Sequence, residues 1–357
     1  MTQQARGRAR IADVAREAGV SKTAVSFAFN NPERLSPDTA TRIRHVADSL
    51  GYRPHPVARM LTQRYTRTLG ILTPQALSVV FANPFFGTFA EGVAAVAEEA
   101  GYGLLFISPV HGSLARAVGR ATVDGFVALG LSEHHPEIEQ IRKADLPVVM
   151  VDSTALPGHA AVDVDDEGGA RLAAEHLLAL GHRDFLVIGA EPPIPGASPD
   201  FGGVVERRLA GYRASLAAAG IELTDDHVVV GPATLEGGAA CLSGAWEDGD
   251  RPTAVLAMSD AMAIGAIGAI ARLGLRVPLD LSVVGFDDVE LARHVEPPLT
   301  TVHQPVRRKG AEACRLLLAA IERPEIREPR HLTLETRLIV RGSTGPAPKP
   351  GGAAGGT

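Results

Sequence analysis

Downstream of residue 67 the chain alternates short apolar runs with longer stretches of helical periodicity. The runs include "TLGILTP", "LPVVMVD", "RDFLVIG" and "LSVVGFD", and Ala-rich stretches separate them. Such alternation is typical of parallel strands joined by crossover helices. The runs outnumber the strands of one sheet of usual size, so we predict two α/β lobes.

The first fifty residues follow a different pattern, with helical periodicity throughout. "RIADVAREAGVSKTAVSFAFNN" predicts two short helices around a tight turn, with Gly19 ending the first and Ser21 capping the second. A third helix is predicted from Pro37, capped by Ser36. Its core stripe is Ile43, Val46, Ala47 and Leu50. Three short helices with this turn are typical of a helix-turn-helix domain, whose second helix enters the DNA major groove.

The second helix has two distinct faces at helical spacing. Val25, Ala28 and Phe29 fall on one face; Lys22, Thr23, Ser26, Phe27 and Asn30 fall on the other. Phe27 is the one large apolar side chain on the polar face. Two interpretations follow: either DNA buries the ring, or the ring belongs to the core of the head.

The segment "YRPHPVARMLTQRYTRT" joins the two patterns. Pro54 and Pro56 delay any helix until Val57, and the segment is basic. Met60 and Leu61 are apolar without an evident core to join. The segment is therefore either a plain linker or a short helix that orders on DNA.

The charge distribution separates the same two regions. Residues 1–67 carry 12 Lys and Arg against 5 Asp and Glu, a balance of +7. The remaining 23 basic and 36 acidic residues give −13, and the whole chain −6. A basic head on an acidic body indicates that the head alone meets a polyanion.

Several function classes are excluded by what the chain lacks. It has no apolar run long enough for a membrane span or a signal peptide, and its two cysteines match no metal or redox spacing. A reduced, cytoplasmic protein is expected. His134 and His135 precede a proline in a loop rather than form a metal site, and "DVDDEGG" lacks the calcium-loop spacing. Without a phosphate loop or nucleophile elbow, neither an enzyme nor a cofactor is predicted.

Seven segments in order resemble the lactose-repressor/galactose-repressor (LacI/GalR) family of transcription regulators. They are "IADVAREAGVSKTAVSFAFN", "LGYRPHPVARML", "ANPFF", "DVDDEGGARLAAEHLLALGHRDFLVIG", "RRLAGYRASL", "SDAMAIGAIGAI" and "GLRVPLDLSVVGFDD…PPLTTVHQP". They cover roughly residues 9 to 342. A lone helix-turn-helix is a weak signal, whereas these segments at these spacings are strongly specific.

The resemblance implies a set of DNA-binding residues. They are Lys22, Thr23, Ser26, Phe27 and Asn30 facing bases and phosphates, Ser21, Arg34, Ser36 and Thr39 holding the backbone, and His55, Ala58, Arg59 and Leu61 in the linker. Residues 56–61 resemble the family's hinge helix, which sits in the minor groove. Leu61 is then the wedge levered between base pairs, with Ala58 packing beside it.

Two of these positions depart from the family pattern. His55 stands where the family often has Asn, and Phe27 stands where many members have Arg. Arg reads guanine through two hydrogen bonds, whereas Phe offers only apolar contact, for instance to a thymine methyl. The base preference at that operator position is therefore expected to differ.

For the body, the resemblance implies two lobes similar to a periplasmic sugar-binding protein, crossed three times by the chain, with a ligand cleft between them. The implied effector-binding residues are Phe85, Phe86, Asp152, Arg208, Ser259, Asp287 and Gln304. Ligands of open α/β sheets sit beyond the carboxyl ends of strands, where Asp152 and Asp287 fall. A guanidinium suits hydroxyls, a carboxylate or a base edge, and Arg208 corresponds to the family's effector-clamping arginine. Arg207 is the competing candidate if the register slips.

Other readings of the same residues remain. Asp152 and Asp287 can be helix caps, the two phenylalanines can be core, and Gln304 can belong to a strand ladder. Asp260 looks structural because it opens a helix. Ser259 replaces an Asn often seen in the family, and no aromatic residue stands near Ala233, although Phe201 can supply a ring. The effector class is therefore left as a sugar or related metabolite.

These features predict an α/β protein: a small all-α helix-turn-helix head plus hinge helix, then a two-lobed periplasmic-binding-protein-like effector domain. The expected divisions are 9–54 for the head, 55–66 for the hinge, 67–342 for the effector-binding and dimerisation domain, and 343–357 for a disordered tail. The predicted function is a homodimeric repressor that binds a palindromic operator under the control of a small molecule. The expected partners are double-stranded DNA, the effector and a second copy, with no membrane.

Overall fold

The computed structural model describes residues 9–53, 65–131, 135, 137–139, 143, 146–153, 158–190, 203–249, 251–323 and 330–348. The chain divides into two compact units, Met1–Thr66 and Arg67–Thr357. The first is helical and the second is α/β, as the two sequence patterns predict.

The described part of the helical unit, residues 9–53 and 65–66, contains three α-helices, α1 (Ile11–Glu17), α2 (Lys22–Asn30) and α3 (Pro37–Ser49), with a 3₁₀ turn over Pro32–Arg34. Its buried core consists of Val14, Ala15, Ala18, Val25, Ala28, Ile43 and Ala47. Gly19 turns the chain between α1 and α2 with a φ of +64°, a value that glycine adopts without steric cost. One predicted core position is wrong: Leu50 is 38% exposed, and it lies at the C-cap of α3, after the last helical residue.

The α/β unit begins with the first lobe. Its elements are β1 (Thr68–Leu72), α4 (Leu77–Ala82), α5 (Pro84–Glu99), β2 (Gly103–Ile107), α6 (Leu114–Arg120), β3 (Gly125–Leu129), β4 (Val148–Val151) and β5 (Ala160–Val164). The chain then enters the second lobe. Its elements are α7 (Asp166–Ala179), β6 (Phe185–Ala190), α8 (Val204–Ala218), β7 (Val228–Gly231), α9 (Leu235–Glu247), β8 (Ala254–Ala257), α10 (Asp260–Arg272), β9 (Ser282–Asp287) and β10 (Thr300–His303), with 3₁₀ turns over Asp225–His227 and Glu290–Arg293.

The last three elements return to both lobes. Helix α11 (Val306–Glu322) and strand β11 (His331–Leu334) belong to the first lobe, and β12 (Arg337–Ile339) belongs to the second. The strand orders are β11-β5-β4-β3-β1-β2 and β12-β10-β9-β8-β6-β7, and all pairs are parallel except β10 with β12. The chain therefore crosses between the lobes three times, after β5, β10 and β11.

Helices cover both faces of each sheet, and the covering helices pack closely in pairs. On Gly310 of α11 a Cβ would lie 2.2 Å from the carbonyl oxygen of Phe89 in α5. On Gly265 of α10 it would lie 1.9 Å from the carbonyl oxygen of Leu235 in α9. Only glycine permits such close approach, so these two positions let α11 pack directly on α5 and α10 directly on α9.

The start of the expected tail is ordered, contrary to the prediction of disorder from residue 343. Ser343 is buried; its Oγ donates to the carbonyl of Val283 at 2.6 Å and accepts from the Thr300 amide at 2.8 Å. The Ala347 amide donates to the carbonyl of Leu180 at 2.9 Å. Composition did not indicate this order, because the segment is held by hydrogen bonds of single side chains and backbone groups to distant parts of the chain.

Candidate functional site

Helix α2 presents the predicted polar face to solvent. Lys22 and Thr23 are exposed, and Ser26, Phe27 and Asn30 are half-buried. The Asn30 amide donates to Ser26 Oγ at 3.3 Å, which aligns two polar side chains one turn apart. The opposite face packs inward, and Arg44 of α3 donates from Nε to the carbonyl of Ala28 at 3.2 Å. The polar face is thus held outward by the packing behind it.

Phe27 is not part of the core of the helical unit. The side chains that form or flank that core include Phe29, whose ring meets Tyr52 edge-on at 6.0 Å, but not Phe27. The Phe27 ring instead lies 5.3 Å from the Arg34 guanidinium carbon, a cation–π contact. The ring is therefore placed on the same surface as a cation suited to a DNA phosphate.

The predicted backbone contacts lie at two helix N-termini. Ser21 accepts the Ala24 amide at 3.1 Å and caps α2, while Ser36 accepts the Thr39 amide at 3.3 Å and caps α3. The Ser36 hydroxyl also donates to Thr39 Oγ1 at 2.8 Å. Helix N-termini carry partial positive charge and open amides, which suits them to phosphates. The predicted hinge residues His55, Ala58, Arg59 and Leu61 lie outside the described residues.

In the α/β unit, the two predicted aspartates lie at the carboxyl ends of strands facing the other lobe. Asp152 follows β4 and Asp287 ends β9, and both are more than 90% buried. Both have positive φ, 52° and 129°, a conformation uncommon for a residue with a side chain. Such backbone strain clusters at ligand sites, where the surrounding structure holds it in place.

Lys309 contacts Asp152 directly and Asp287 through Gln304. Its role was not predicted from the sequence. Its ammonium is fully buried on the first turn of α11 and donates to both Asp152 oxygens, at 2.7 and 2.8 Å. It also donates to Gln304 Oε1 and lies 5.1 Å from the Phe85 ring. A lysine in "VRRKGAEA", among other cations, is typical of a solvent-exposed helix position. Helical periodicity nevertheless places it on the same face as Val306, Gly310 and Ala313, and this spacing could have predicted its burial.

Gln304 connects the two lobes. Because an ammonium can only donate, the Gln304 oxygen must face Lys309, and its amide nitrogen then donates to Asp287 Oδ1 at 2.6 Å. The Gln304 side chain thus bridges the two lobes rather than serving only the strand ladder. Burial raises the pKa of Asp287 to about 6, although Arg208, Gln304 and Lys309 act to lower it. A second contact between the lobes joins the Asn83 amide to the carbonyl of Ala233 at 3.1 Å.

Arg208 and Arg207 both bind Asp166, but in different surroundings. Arg208 is buried: Nε donates to Asp166 Oδ1 at 2.8 Å, Nη1 donates to the Met258 carbonyl, and the guanidinium lies 3.5 Å from the Phe286 ring centre. Arg207 binds Asp166 Oδ2 through Nε and Nη2, at 3.1 and 2.9 Å, and its side chain is 31% exposed. Arg208 also acts electrostatically on Asp287, which favours it over Arg207 as the cleft arginine.

The remaining predicted residues take mixed roles. Phe85 is buried in the core of the first lobe, and Phe86 is half-buried against it, with the two rings edge-on at 5.4 Å. Ser259 caps α10 by accepting the Met262 amide at 3.3 Å. Asp260 is structural, as expected: its carboxylate accepts from the Thr301 hydroxyl and the Val289 amide at 2.5 and 2.9 Å.

A second residue missed from the sequence is Asp163 in β5. It is 6% exposed, its Oδ2 pairs with His331 Nε2 at 2.8 Å, and its Oδ1 lies 3.8 Å from Arg207 Nη2 of the second lobe. Burial and the charge of Asp152 raise its pKa. "DVDDEGG" contains three aspartates in four positions. Asp165 caps α7 and Asp166 binds the arginines, whereas Asp163 lies between His331 of the first lobe and Arg207 of the second.

The described residues hold no group of side chains arranged for a metal ion, and none of their helices has the length and apolarity to cross a bilayer. Cys241 and Cys314 are both free thiols.

Comparison with known proteins gives concordant matches for both units. Residues 10–55 match the family described as bacterial regulatory proteins, lacI family, and residues 174–344 match a periplasmic binding protein-like domain. The transcriptional regulator CelR of Thermobifida fusca is 33% identical over 338 residues, which covers 92% of this chain and 96% of CelR. Such relatives are transcription regulators rather than enzymes.

Solved structures resemble the whole chain. A complex of the regulator CelR with cellobiose aligns with a TM-score of 0.69 at 32% identity, covering 94% of this chain and all of that one. The lac repressor dimer bound to operator and the anti-inducer ONPF aligns with a TM-score of 0.77 at 26% identity, covering 95% and 99%. With a polar helix face in one unit and charged side chains that join two lobes in the other, the chain belongs to the LacI family of DNA-binding transcription regulators.

Proposed function

We propose that this regulator is a repressor that binds a palindromic operator as a homodimer and is controlled by a small metabolite in the inter-lobe cleft. The observation that carries the regulatory part is the bridge Asp152–Lys309–Gln304–Asp287. It holds the carboxyl ends of strands in opposite lobes to one another. A ligand that binds these groups must change how the lobes are held.

On DNA, the exposed face of α2 enters the major groove. Lys22, Thr23, Ser26, Phe27 and Asn30 lie on one helix face, and this clustering supports the assignment. Ser21, Arg34, Ser36 and Thr39 flank that face and position the backbone. The proposed divisions at 54 and 66 assign His55, Ala58, Arg59 and Leu61 to a hinge segment that contacts the minor groove.

In the cleft, Asp152, Asp287 and Gln304 accept or donate hydrogen bonds to the effector, and Arg208 clamps it. Two of the three Arg208 nitrogens have protein partners; within the described residues Nη2 has none and is available to a ligand. Phe86 is proposed to flank the ligand. Phe85 and Ser259 support the site through Lys309 and the start of α10. Similar proteins bound to cellobiose and ONPF support a carbohydrate-like effector.

The homodimer is proposed to form along the edge strands β2 and β7. Phe81 is 63% exposed beside the β2 edge, with its ring 5.3 Å from Phe106, and Leu105 and Val230 are exposed on β2 and β7 themselves. Unpaired strand edges with apolar side chains favour association with a second copy. A palindromic operator then matches the two-fold symmetry of the dimer.

The coupling between effector and DNA follows from linkage. If the effector binds one arrangement of the lobes more tightly, it shifts the population toward that arrangement, and DNA affinity changes by the same free energy. The proposal therefore predicts reciprocal effects of DNA and effector.

The test is DNA selection with the purified protein at moderate salt, followed by titration of the selected operator with and without candidate effectors. A two-fold symmetric consensus and a dimer by sedimentation support the proposal, and Phe81→Lys should shift the dimer toward monomer. A consensus without symmetry, or a monomer that binds the selected DNA fully, contradicts it.

A further inference from the structure

Within the described residues, the Oδ1 atom of Asp163 is a buried hydrogen-bond acceptor without a partner. Such atoms are rare, because an acceptor removed from water without a hydrogen bond costs free energy. In the part of the chain that the structure describes, the other two such side-chain atoms are Gln75 Oε1 and Ser215 Oγ, so Asp163 is the one carboxylate among them.

Oδ1 points toward the second lobe. Oδ2 of the same carboxylate is held by His331 Nε2 at 2.8 Å, on the neighbouring strand β11. The nearest cation to Oδ1 is Arg207 Nη2 at 3.8 Å, beyond hydrogen-bond range, and that nitrogen already donates to Asp166 at 2.9 Å. Asp163 Oδ1 therefore faces Arg207 across the cleft with a gap between them.

The other carboxylates of the cleft are satisfied. Asp152 is bound by Lys309, Asp166 by the two arginines, and Asp287 by Gln304. These four carboxylates meet three permanent cations, so the cluster has one more carboxylate than cations, and Asp163 Oδ1 is the carboxylate oxygen that lacks a hydrogen-bond partner within the described residues. The half-exposed His331 gives little compensation, since exposed ion pairs contribute weakly.

A purely structural role does not account for this arrangement. An Asn or Ser at the same position would hold His331 without burying a charge, and burial raises the pKa of Asp163, which marks ionisation there as costly. A ligand donor placed between the lobes would remove that cost.

We propose that Asp163 is a ligand-contacting specificity residue: its Oδ1 accepts a hydrogen bond from a hydroxyl of a neutral, hydroxyl-rich effector, and its charge excludes phosphorylated or carboxylated analogues. The inference rests on the proposed effector function of the cleft. In the present arrangement the lobes cover Oδ1, so the ligand reaches it when they separate. Arg207, opposite, donates to the same ligand from its partly exposed guanidinium.

The experiment compares the wild-type protein with Asp163→Asn and Asp165→Asn. Asp165 is a matched control, because it lies two residues away, is exposed and caps α7, a role that Asn fills equally well. Each protein is screened by thermal shift, then calorimetry, against cellobiose, ribose and further neutral saccharides. Ribose 5-phosphate and glucose 6-phosphate represent the charged analogues. Circular dichroism and unfolding curves confirm that the variants fold.

The wild type should bind a neutral saccharide and reject its phosphate. Asp163→Asn should weaken binding of the neutral saccharide about tenfold, through loss of a charge-assisted hydrogen bond. It should also reduce the difference in affinity between the neutral saccharide and its phosphate. Asp165→Asn should match the wild type. Unchanged affinity in Asp163→Asn, equal losses in both variants, or a wild type that prefers phosphorylated compounds or binds no neutral saccharide would overturn the proposal.

The proposed repressor function is judged separately by operator selection. A symmetric operator released or tightened by a phosphorylated compound would leave that function intact and remove Asp163 from its assigned role. Absence of any preferred DNA would instead refute the repressor function, whatever the saccharide results.

Discussion

The recognition helix and the inter-lobe cleft are built in opposite ways. The face of α2 is organised by contacts within a few residues, such as Ser21 with Ala24 and Asn30 with Ser26. The cleft is organised by contacts across the chain: Lys309 and Asp152 are 157 residues apart, and Arg208 and Asp166 are 42 apart. The first surface is open to a partner, whereas the second already satisfies most of its own charges.

The two surfaces should therefore respond differently to substitution. On the helix face, a change should alter recognition with little effect on folding, because the side chains pack on few neighbours. In the cleft, the same groups serve both ligand and fold, so a change should alter stability and binding together.

Lys309→Met should be the most damaging change. It leaves Asp152 buried without its ammonium, and removal of one partner from a buried ion pair typically costs about 3–5 kcal/mol. Urea unfolding of the α/β unit measures the loss. Adding Asp152→Asn to Lys309→Met should recover part of it. The adjacent Arg308→Met, on an exposed side chain, should change stability by less than about 0.5 kcal/mol. Similar losses for Lys309 and Arg308 would contradict the network.

The two phenylalanines of α2 should behave differently. Phe29→Ala removes a ring that packs against the core beside Tyr52 and should cost the helical unit about 2 kcal/mol. Phe27→Ala should cost well under half of that while weakening operator binding. Amide hydrogen exchange of residues 9–53 in the full chain measures the loss of stability in each of the two variants. Equal loss of protection would place Phe27 in the core.

Phe27→Arg should change which base is preferred. An arginine on the groove-facing side can donate two hydrogen bonds to guanine, so selection should shift toward guanine at one symmetric operator position, by roughly tenfold per half-site. Repeating the DNA selection with the variant measures this. An unchanged consensus together with lower stability would contradict the placement of Phe27.

The free energy of unfolding should fall as pH rises and the buried carboxyl of Asp287 ionises. The pKa of Asp287 is raised from its ordinary value to about 6, so the folded state is stabilised while this carboxyl is protonated. That contribution to the free energy of unfolding is complete below about pH 4 and is lost as pH rises through 6. Asp287→Asn should flatten the fall in stability between pH 5 and 8, by on the order of 1 kcal/mol. Asp163 and Asp260 shift in the same direction, so some slope should remain.

Asp280→Asn is the contrasting control for that measurement. Arg276 lowers the pKa of Asp280, so its contribution is present above the ordinary value and lost as pH falls. That variant should leave the slope between pH 5 and 8 unchanged. A flattened slope in Asp280→Asn, or none in Asp287→Asn, would contradict the assignment of the titration to the cleft.

The sequence predicted the fold class, because each part depends on local pattern. Helical spacing located α1 to α3, and β-rich runs located strands in both lobes, among them β1, β4, β6 and β9. Leu50 and residues 343–348 were the misjudged parts. Leu50 lies at the C-cap of α3 rather than within the helix, and Ser343 is held by hydrogen bonds to the sheet of the second lobe, which lies far away in the chain.

The candidate site was only partly predictable from the same patterns. Asp152 and Asp287 follow apolar runs, and their placement at strand ends is a local property. Lys309 and Asp163 looked like ordinary members of a charged helix and a capping motif. Their significance arises from the three crossings that bring α11, β5 and α8 to one cleft.

By itself, then, the sequence determined the secondary structure, the basic head, the polar face of α2 and the two-lobed plan, because hydrophobic periodicity and charge act over a few residues. The tertiary structure alone decided which charges meet. It paired Lys309 with Asp152 and both arginines with Asp166, and within the described residues it left Asp163 Oδ1 without a hydrogen-bond partner. The physical reason is that a buried charge is stabilised by whichever partner the fold brings within hydrogen-bond distance, and sequence separation carries no information about that distance.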